Sequence, residues 1–541
     1  MRRSDRSGIV SVAEHRRTMK RTWLAAIIFV AISAGVFFRT YHLDYKVVWS
    51  DEVFSHLRAV GLTEANVVSE SPQFRDVASL RAYVAGDARL RTGHVDATVR
   101  SLIEEDPQHP PLYFLLSRVW MAAFGDTILT DRLLSAFIGL LALPCAFWLA
   151  RELFISRSVA WVYVALMAVS PVFVLYSQED REYALWELTV LLTSAAVLRA
   201  IRTRRITAWI LYGALASLAL YTYPLSLAVI AAHAIYAGIV FRNDARALVV
   251  PLAAFAAAVI SYAPWLMVIS ERRAQIAHDM SWIVSKRNEP IATLRSFFGE
   301  WHLAIFDFNA HEHSLGGFVI AIIGLIVIIA AFFILRRDAP RLSSAFVFCT
   351  LAASIAPVLL PDIFATGHRT ANPRYLVPLF ALIELALAYA LARGIARDRR
   401  WNFGFAALVL AGFFSCATSS QSLTWWSKYN ERSIDLARTM NRTQRPILMS
   451  DSYVHLVLSL APYLKDGTRL AIDPRCYLCH APDNTGAAAR LASQLSRGDD
   501  IFLLGPSPAL LRAVRERSAS APERVHCIDV SANCASDLEL F

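Results

Sequence analysis

The chain has 541 residues, 56% of them hydrophobic and only 18% charged, with a formal net charge of +10. A soluble globular chain carries about 25% charged residues, so this deficit, concentrated in long apolar runs, excludes an ordinary soluble protein and indicates a polytopic membrane protein. The basic balance does not indicate nucleic-acid binding, because the Lys and Arg residues are scattered through short loops between apolar runs, where they report topology.

Residues 1–21, MRRSDRSGIVSVAEHRRTMKR, read as a basic cytoplasmic N-terminus. The apolar stretch at 22–40 contains small residues, AISAG, of the kind a signal peptidase uses, but it continues through VFF to spanning length, so an uncleaved helix is expected. Spanning-length runs recur near 132–150, 158–176, 183–199, 206–222, 224–241, 247–269, 316–335, 343–360, 375–392 and 402–419, about eleven in all.

One further stretch, PLYFLLSRVWMAAFG (111–125), is shorter and contains Arg118. Charge decides whether it crosses. If it does not, the loops RELFISR (151–157), RAIRTRR (199–205), FRNDAR (241–246), LRRDAPR (335–341) and ARGIARDRR (392–400) all fall in the cytoplasm, each with at least two arginines. If it does, every one of them moves outside. The stretch therefore reads as a helix lying at or dipping into the outer leaflet. The outer face then carries the loop 41–131, the turns at 177–182 and YTYP, the loops 270–315 and 361–374, and the tail from about 421.

Three outer stretches carry candidate chemistry. In the first loop, about 90 residues long, VVWSDEVFSH (47–56) places Asp51 and Glu52 side by side. Both suit a helix N-terminus, where the dipole favours carboxylates, so capping alone accounts for them. The same loop continues to EEDPQHPPLYFLL, with Glu104, Glu105, Gln108 and His109. In SPVFVLYSQEDREYAL (170–185), Arg181 offers a bidentate donor for phosphate oxygens at a membrane surface, although a charged turn is also what a solvated hairpin looks like. In ATGHRTANPRYLVPLF (365–380), Arg374 and Tyr375 open a helix after Pro373, a start suited to an anionic headgroup or to the interfacial aromatic belt.

Taken in order, WSDE after the first helix, HPPLYFLL, TDRLLSAFIGLLALPCAFWLARELF, SPVFVLYSQEDREYAL and PRYLVPLFALIEL resemble the bacterial glycosyltransferase family 39-like proteins over roughly residues 20–400. These are integral membrane glycosyltransferases of the C-type fold, related to protein O-mannosyltransferases, lipid A aminoarabinose transferases and lipopolysaccharide galacturonosyltransferases. The resemblance implies a transmembrane glycosyltransferase domain (22–420) with a catalytic first outer loop (41–131), in the bacterial inner membrane. It implies transfer of a sugar from a polyprenyl phosphate carrier to a lipid, glycan or protein acceptor on the periplasmic side, with inversion at the anomeric carbon. Asp51 matches the family's general base and Glu52 its supporting neighbour, while His109, Arg181, Arg374 and Tyr375 match positions near the donor phosphate. Some relatives bind a divalent metal through a glutamate in the segment corresponding to PQHPP, where this chain has Gln108 and His109, so a metal is left open. The chemistry is coherent on its own terms. Adjacent helical residues point about 100° apart, so Asp51 and Glu52 do not straddle one sugar, and one carboxylate suffices for inversion. The competing class is a polyprenyl-linked sugar flippase, which would place ionisable groups at mid-membrane; Glu187 and Glu384, one to three turns inside helices, keep it in play.

From about Trp425 the composition turns soluble, and residues 421–541 read as a small periplasmic α/β domain. Its CYLCH (476–480) spells a c-type haem attachment pattern, but with Cys527 and Cys534 nearby in an oxidising compartment, disulfide pairing accounts for the cysteines with less.

Overall fold

The computed structural model of the chain describes residues 23–86, 89–90, 95–284, 289–308, 315–365, 367–425, 431–479, 486–518, 525–528 and 539–540. The N-terminal segment 1–21, His480 and Cys534, on which expectations were placed, lie outside the described residues. The chain forms two units, Met1–His42 with Ser135–Gln421, and Leu43–Leu134 with Ser422–Phe541.

The first unit is a helical bundle. Among the described residues, eight helices are long and apolar enough to cross a membrane: Trp23–Thr40, Ile128–Phe154, Tyr183–Thr203, Ala245–Glu271, Gly316–Asp338, Arg341–Phe364, Pro373–Arg397 and Trp401–Ser420. The other three expected spans are helical but shorter or broken. Ile206–Thr222 and Ser226–Val240 have 17 and 15 residues, about 25 and 22 Å against a hydrocarbon core of about 30 Å. The run 158–176 is split into Arg157–Ala168 and Pro171–Tyr176.

Pro171 has no amide hydrogen to donate to Met167, so the carbonyls at the break need other partners. Arg39 supplies them, reaching Ala168 O at 2.6 Å and Met167 O at 2.9 Å, while the Cys416 thiol lies 3.4 Å from Val169 O. The close approach requires glycine at 35, where a Cβ would stand 2.3 Å from Ala168 O. Helix Pro373–Arg397 is enclosed on almost every side, whereas Phe29, Ile210, Ile260, Phe333 and Phe403 present apolar faces outward, as lipid contact requires.

The five arginine loops gather at one end of this bundle. Glu152 pairs with Arg199 and Arg202, Arg204 faces Asp244 at 3.9 Å, Asp338 faces Arg393 and Arg397, and Ser343 Oγ donates to Leu153 O. This is the arrangement that charge parity demanded.

The second unit joins the first long loop to the tail. Its sheet is parallel throughout, with β1 (Pro446–Ser450), β2 (Arg469–Ile472), β3 (Asp500–Leu504), β4 (Val525–Ile528) and β5 (Glu539–Leu540) in the order β2-β1-β3-β4-β5. This is the doubly wound α/β arrangement. Alternation along the strands sends side chains to two cores. Ile447, Met449, Ile501 and Leu503 meet Leu491, Leu510 and Val514 on one face. Leu448, Leu470 and Phe502 on the other face meet Val53, Leu57 and Val60 from the first loop. The loop assigned from sequence to the transmembrane domain thus shares its core with the tail.

Cys476 and Cys479 are disulfide-bonded, which occupies both sulfurs that haem attachment would use. The disulfide turn is held to the first loop by Glu64, which is fully buried and accepts from the amides of Tyr477 and Leu478 at 3.0 and 2.8 Å, with His455 Nδ1 at 3.4 Å.

Reporter fusions test the short hairpin. Fusions after residues 203 and 244 are expected to report the cytoplasm and a fusion after 224 the opposite side; a cytoplasmic report at 224 would show that Ile206–Thr222 does not cross.

Candidate functional site

The acidic pair stands in the first turn of helix Ser50–Val60, whose N-cap Trp49 makes no side-chain cap bond. The turn sends the two carboxylates to different environments. Glu52 points inward, 4% exposed, and meets Arg132 in a bidentate pair: Nε to Oε1 at 2.8 Å and Nη2 to Oε2 at 2.7 Å. The remaining guanidinium hydrogens go to the carbonyls of Leu43 (2.7 Å), Lys46 (2.9 Å) and Val47 (2.9 Å). Five donors thus find five acceptors. Asp51 is half-buried on the other side of the turn. Arg132, in the second turn of helix Ile128–Phe154, was not singled out from sequence. The signal was present as an arginine at the mouth of an apolar run, where an unpaired charge is costly.

Two turns further on, Arg58 is fully buried and pairs with Glu105 at 2.8 Å and Asp106 at 2.7 Å. Burial raises the Glu105 carboxyl above its ordinary value against the opposing pull of Arg58. Glu105 also accepts from the amides of Glu64 and Ala65, so it braces the loop. His109 is half-buried, its amide bonded to Asp106 O at 3.0 Å and its ring edge-on to Phe114 at 6.3 Å. Glu105 is engaged by Arg58 and by two backbone amides, and PQHPP offers only an amide at Gln108 and an imidazole at His109.

In the first unit, SQEDREY is not a wet hairpin: every residue from Ser177 to Tyr183 is buried. Gln178 ties the turn to Phe38 O and Tyr41 O, and the Arg181 carbonyl lies 3.4 Å from Ser135 Oγ. Arg181 lies 3.3 Å from Glu182 and stands over the Tyr183 ring at 5.8 Å. Arg374 reaches the Tyr183 hydroxyl at 3.5 Å. Tyr183 therefore brings together two arginines that sequence placed 193 positions apart, and it is the residue missed inside a stretch already marked. Tyr176 and Tyr223 pack around it at 4.9 and 6.2 Å between ring centres. Arg374 and Tyr375 sit on a 3₁₀ turn, Pro373–Leu376, one turn before helix Val377–Arg397, where the sequence expected the helix itself to open. The cluster is two guanidinium groups framed by phenols, a set able to bind a phosphate through charge-assisted hydrogen bonds.

Glu52→Gln leaves the Arg132 charge buried without its counter-ion, and such losses cost about 3–5 kcal/mol. A clear fall in melting temperature in detergent is expected, whereas Asp51→Asn leaves it near that of the unaltered protein; equal melting of both variants would contradict the division between the two acids.

Residues 108–268, just under a third of the chain, match the family described as dolichyl-phosphate-mannose-protein mannosyltransferase. The span includes His109, Arg132 and Arg181 but neither Asp51 nor Arg374. No curated relative matches the sequence. Among solved structures, ArnT from Cupriavidus metallidurans bound to undecaprenyl phosphate is similar at 13% identity and a TM-score of 0.50, covering 93% of this chain and 89% of that one. The apo oligosaccharyltransferase of Archaeoglobus fulgidus is similar at 12% identity and a TM-score of 0.48, covering 87% and 66%. The chain is a multi-pass membrane protein with the C-type glycosyltransferase fold, similar over part of its length to glycosyltransferase family 39.

Proposed function

We propose that the chain is an inverting glycosyltransferase that moves a sugar from a polyprenyl phosphate carrier to a lipid, glycan or protein acceptor on the outer face of the inner membrane. The observation that carries this reading is the unequal use of two adjacent carboxylates. Glu52 is saturated by Arg132, and Asp51 is the half-buried one.

In this reading Asp51 accepts the proton of the acceptor hydroxyl as its oxygen attacks the anomeric carbon. The bond from that carbon to the phosphate oxygen breaks, and the electron pair leaves with polyprenyl phosphate. Arg181 and Arg374, with Tyr375 and His109, meet the charge that grows on the leaving phosphate. Glu52 holds the first turn in place and takes no proton. The ArnT structure contains undecaprenyl phosphate, a carrier of the class proposed here.

A flippase for the same lipid is favoured by one observation, the burial of Glu187 and Glu384 inside two enclosed helices. Turnover separates the readings. With a polyprenyl-phosphate-linked donor, the purified protein is expected to release polyprenyl phosphate and form glycosylated acceptor. Asp51→Asn is expected to slow this by about 10²–10⁴-fold, the usual yield of a general base. Undiminished transfer by the variant would remove Asp51 from the role; movement of the donor between leaflets without any transfer would favour the flippase. Arg374→Ala is expected to weaken binding of undecaprenyl phosphate more than Asp51→Asn does, measured by lipid titration.

A further inference from the structure

The second unit holds a further cluster of titratable side chains. His56 Nδ1 faces Asp126 Oδ1 at 3.4 Å and Asp131 Oδ2 at 3.5 Å, and the three ligand atoms lie within 4.8 Å of one another. The residues come from three elements: helix Ser50–Val60, the turn after Gly125, and the first turn of helix Ile128–Phe154. We propose that His56, Asp126 and Asp131 form a binding site for a divalent transition-metal cation, zinc being the best match.

Four features support the assignment. The separations are long for charge-assisted hydrogen bonds, which close to about 2.7–2.9 Å. They match instead the edge of a tetrahedral zinc sphere, about 3.4 Å for ligand bonds of about 2.1 Å. The ligands are already oriented from behind: His56 Nε2 faces Val84 O at 3.3 Å, leaving Nδ1 to carry the lone pair, and Asp126 Oδ2 accepts from Gly86 N at 2.6 Å. Asp131 is 8% exposed, a position at which a carboxylate calls for a counter-cation. A neutral imidazole and two carboxylates also balance a dication, with water completing the sphere.

The cation would pin the middle of the Asp51 helix to the start of Ile128–Phe154, next to the Arg132 clamp, and so position the helix without touching substrate.

The test uses the full-length protein in detergent, kept oxidised so that Cys476 and Cys479 stay paired. After chelation and dialysis against zinc, the expected result is one tightly held equivalent per chain by elemental analysis, with the melting temperature restored. Cobalt(II) in place of zinc is expected to give the visible absorption of a low-symmetry tetrahedral site. Asp131→Asn and Asp126→Asn, close in shape to the originals, are expected to lose the equivalent and the absorption, while Cys476→Ser keeps both. No stoichiometric uptake by the unaltered protein, a purely octahedral cobalt spectrum, or full retention by both aspartate variants would each overturn the proposal. Should the variants fail to fold, the uptake and spectrum of the unaltered protein decide it.

Discussion

The second unit depends on one buried ion pair. Arg132 is 1% exposed and Glu52 4%, and taking two such charges from water costs several kcal/mol each unless every hydrogen-bonding group is met. Here every group is met: the guanidinium spends two donors on Glu52 and three on carbonyls at 43, 46 and 47. The pair therefore fixes a path. Chain leaving the first helix is folded around the guanidinium, and helix Ser50–Val60 begins at one definite point and rotation. That rotation turns Glu52 in and Asp51 out.

The same device recurs on that helix and on the next. Arg58 closes on Glu105 and Asp106, 47 and 48 residues away in sequence, and Glu64 gathers the disulfide turn more than 400 residues downstream. Each pair is long-range and buried. Hydrophobic contacts between the first loop and the sheet are non-directional and would tolerate sliding. The ion pairs and amide-bound carboxylates specify register. A loop of about 90 residues without them would have little to choose one conformation over another.

Much of this was legible in the sequence, and the rest was hidden for definable reasons. Hydropathy marked the spans because lipid imposes apolar runs, and the arginine loops that sequence grouped together are linked by ion pairs such as Glu152 with Arg202. The short apolar runs in PILMS and DIFLL announced buried strands. What sequence left open was whether a dense charge run is wet or buried. SQEDREY was compatible with a solvated turn, yet it is buried, and burial of a charge run leaves no periodic trace in the chain. Arg132 and Tyr183 were inside quoted stretches and were passed over for the same reason: their importance lies in partners at 52 and 374. The union of the first loop with the tail was equally invisible, since nothing local reports a shared core.

The central claim is that Asp51 acts as the base while Glu52 stays committed to Arg132. A second, nucleophilic carboxylate would permit double displacement and retention, whereas a single base permits only direct displacement. The most direct measurement is the anomeric configuration of the product, read by the one-bond carbon–hydrogen coupling of the transferred sugar and compared with that of the donor. The account predicts the opposite configuration. Retention of the donor's configuration would require Glu52 or another group to act as nucleophile, and would contradict the assignment of Glu52 to Arg132.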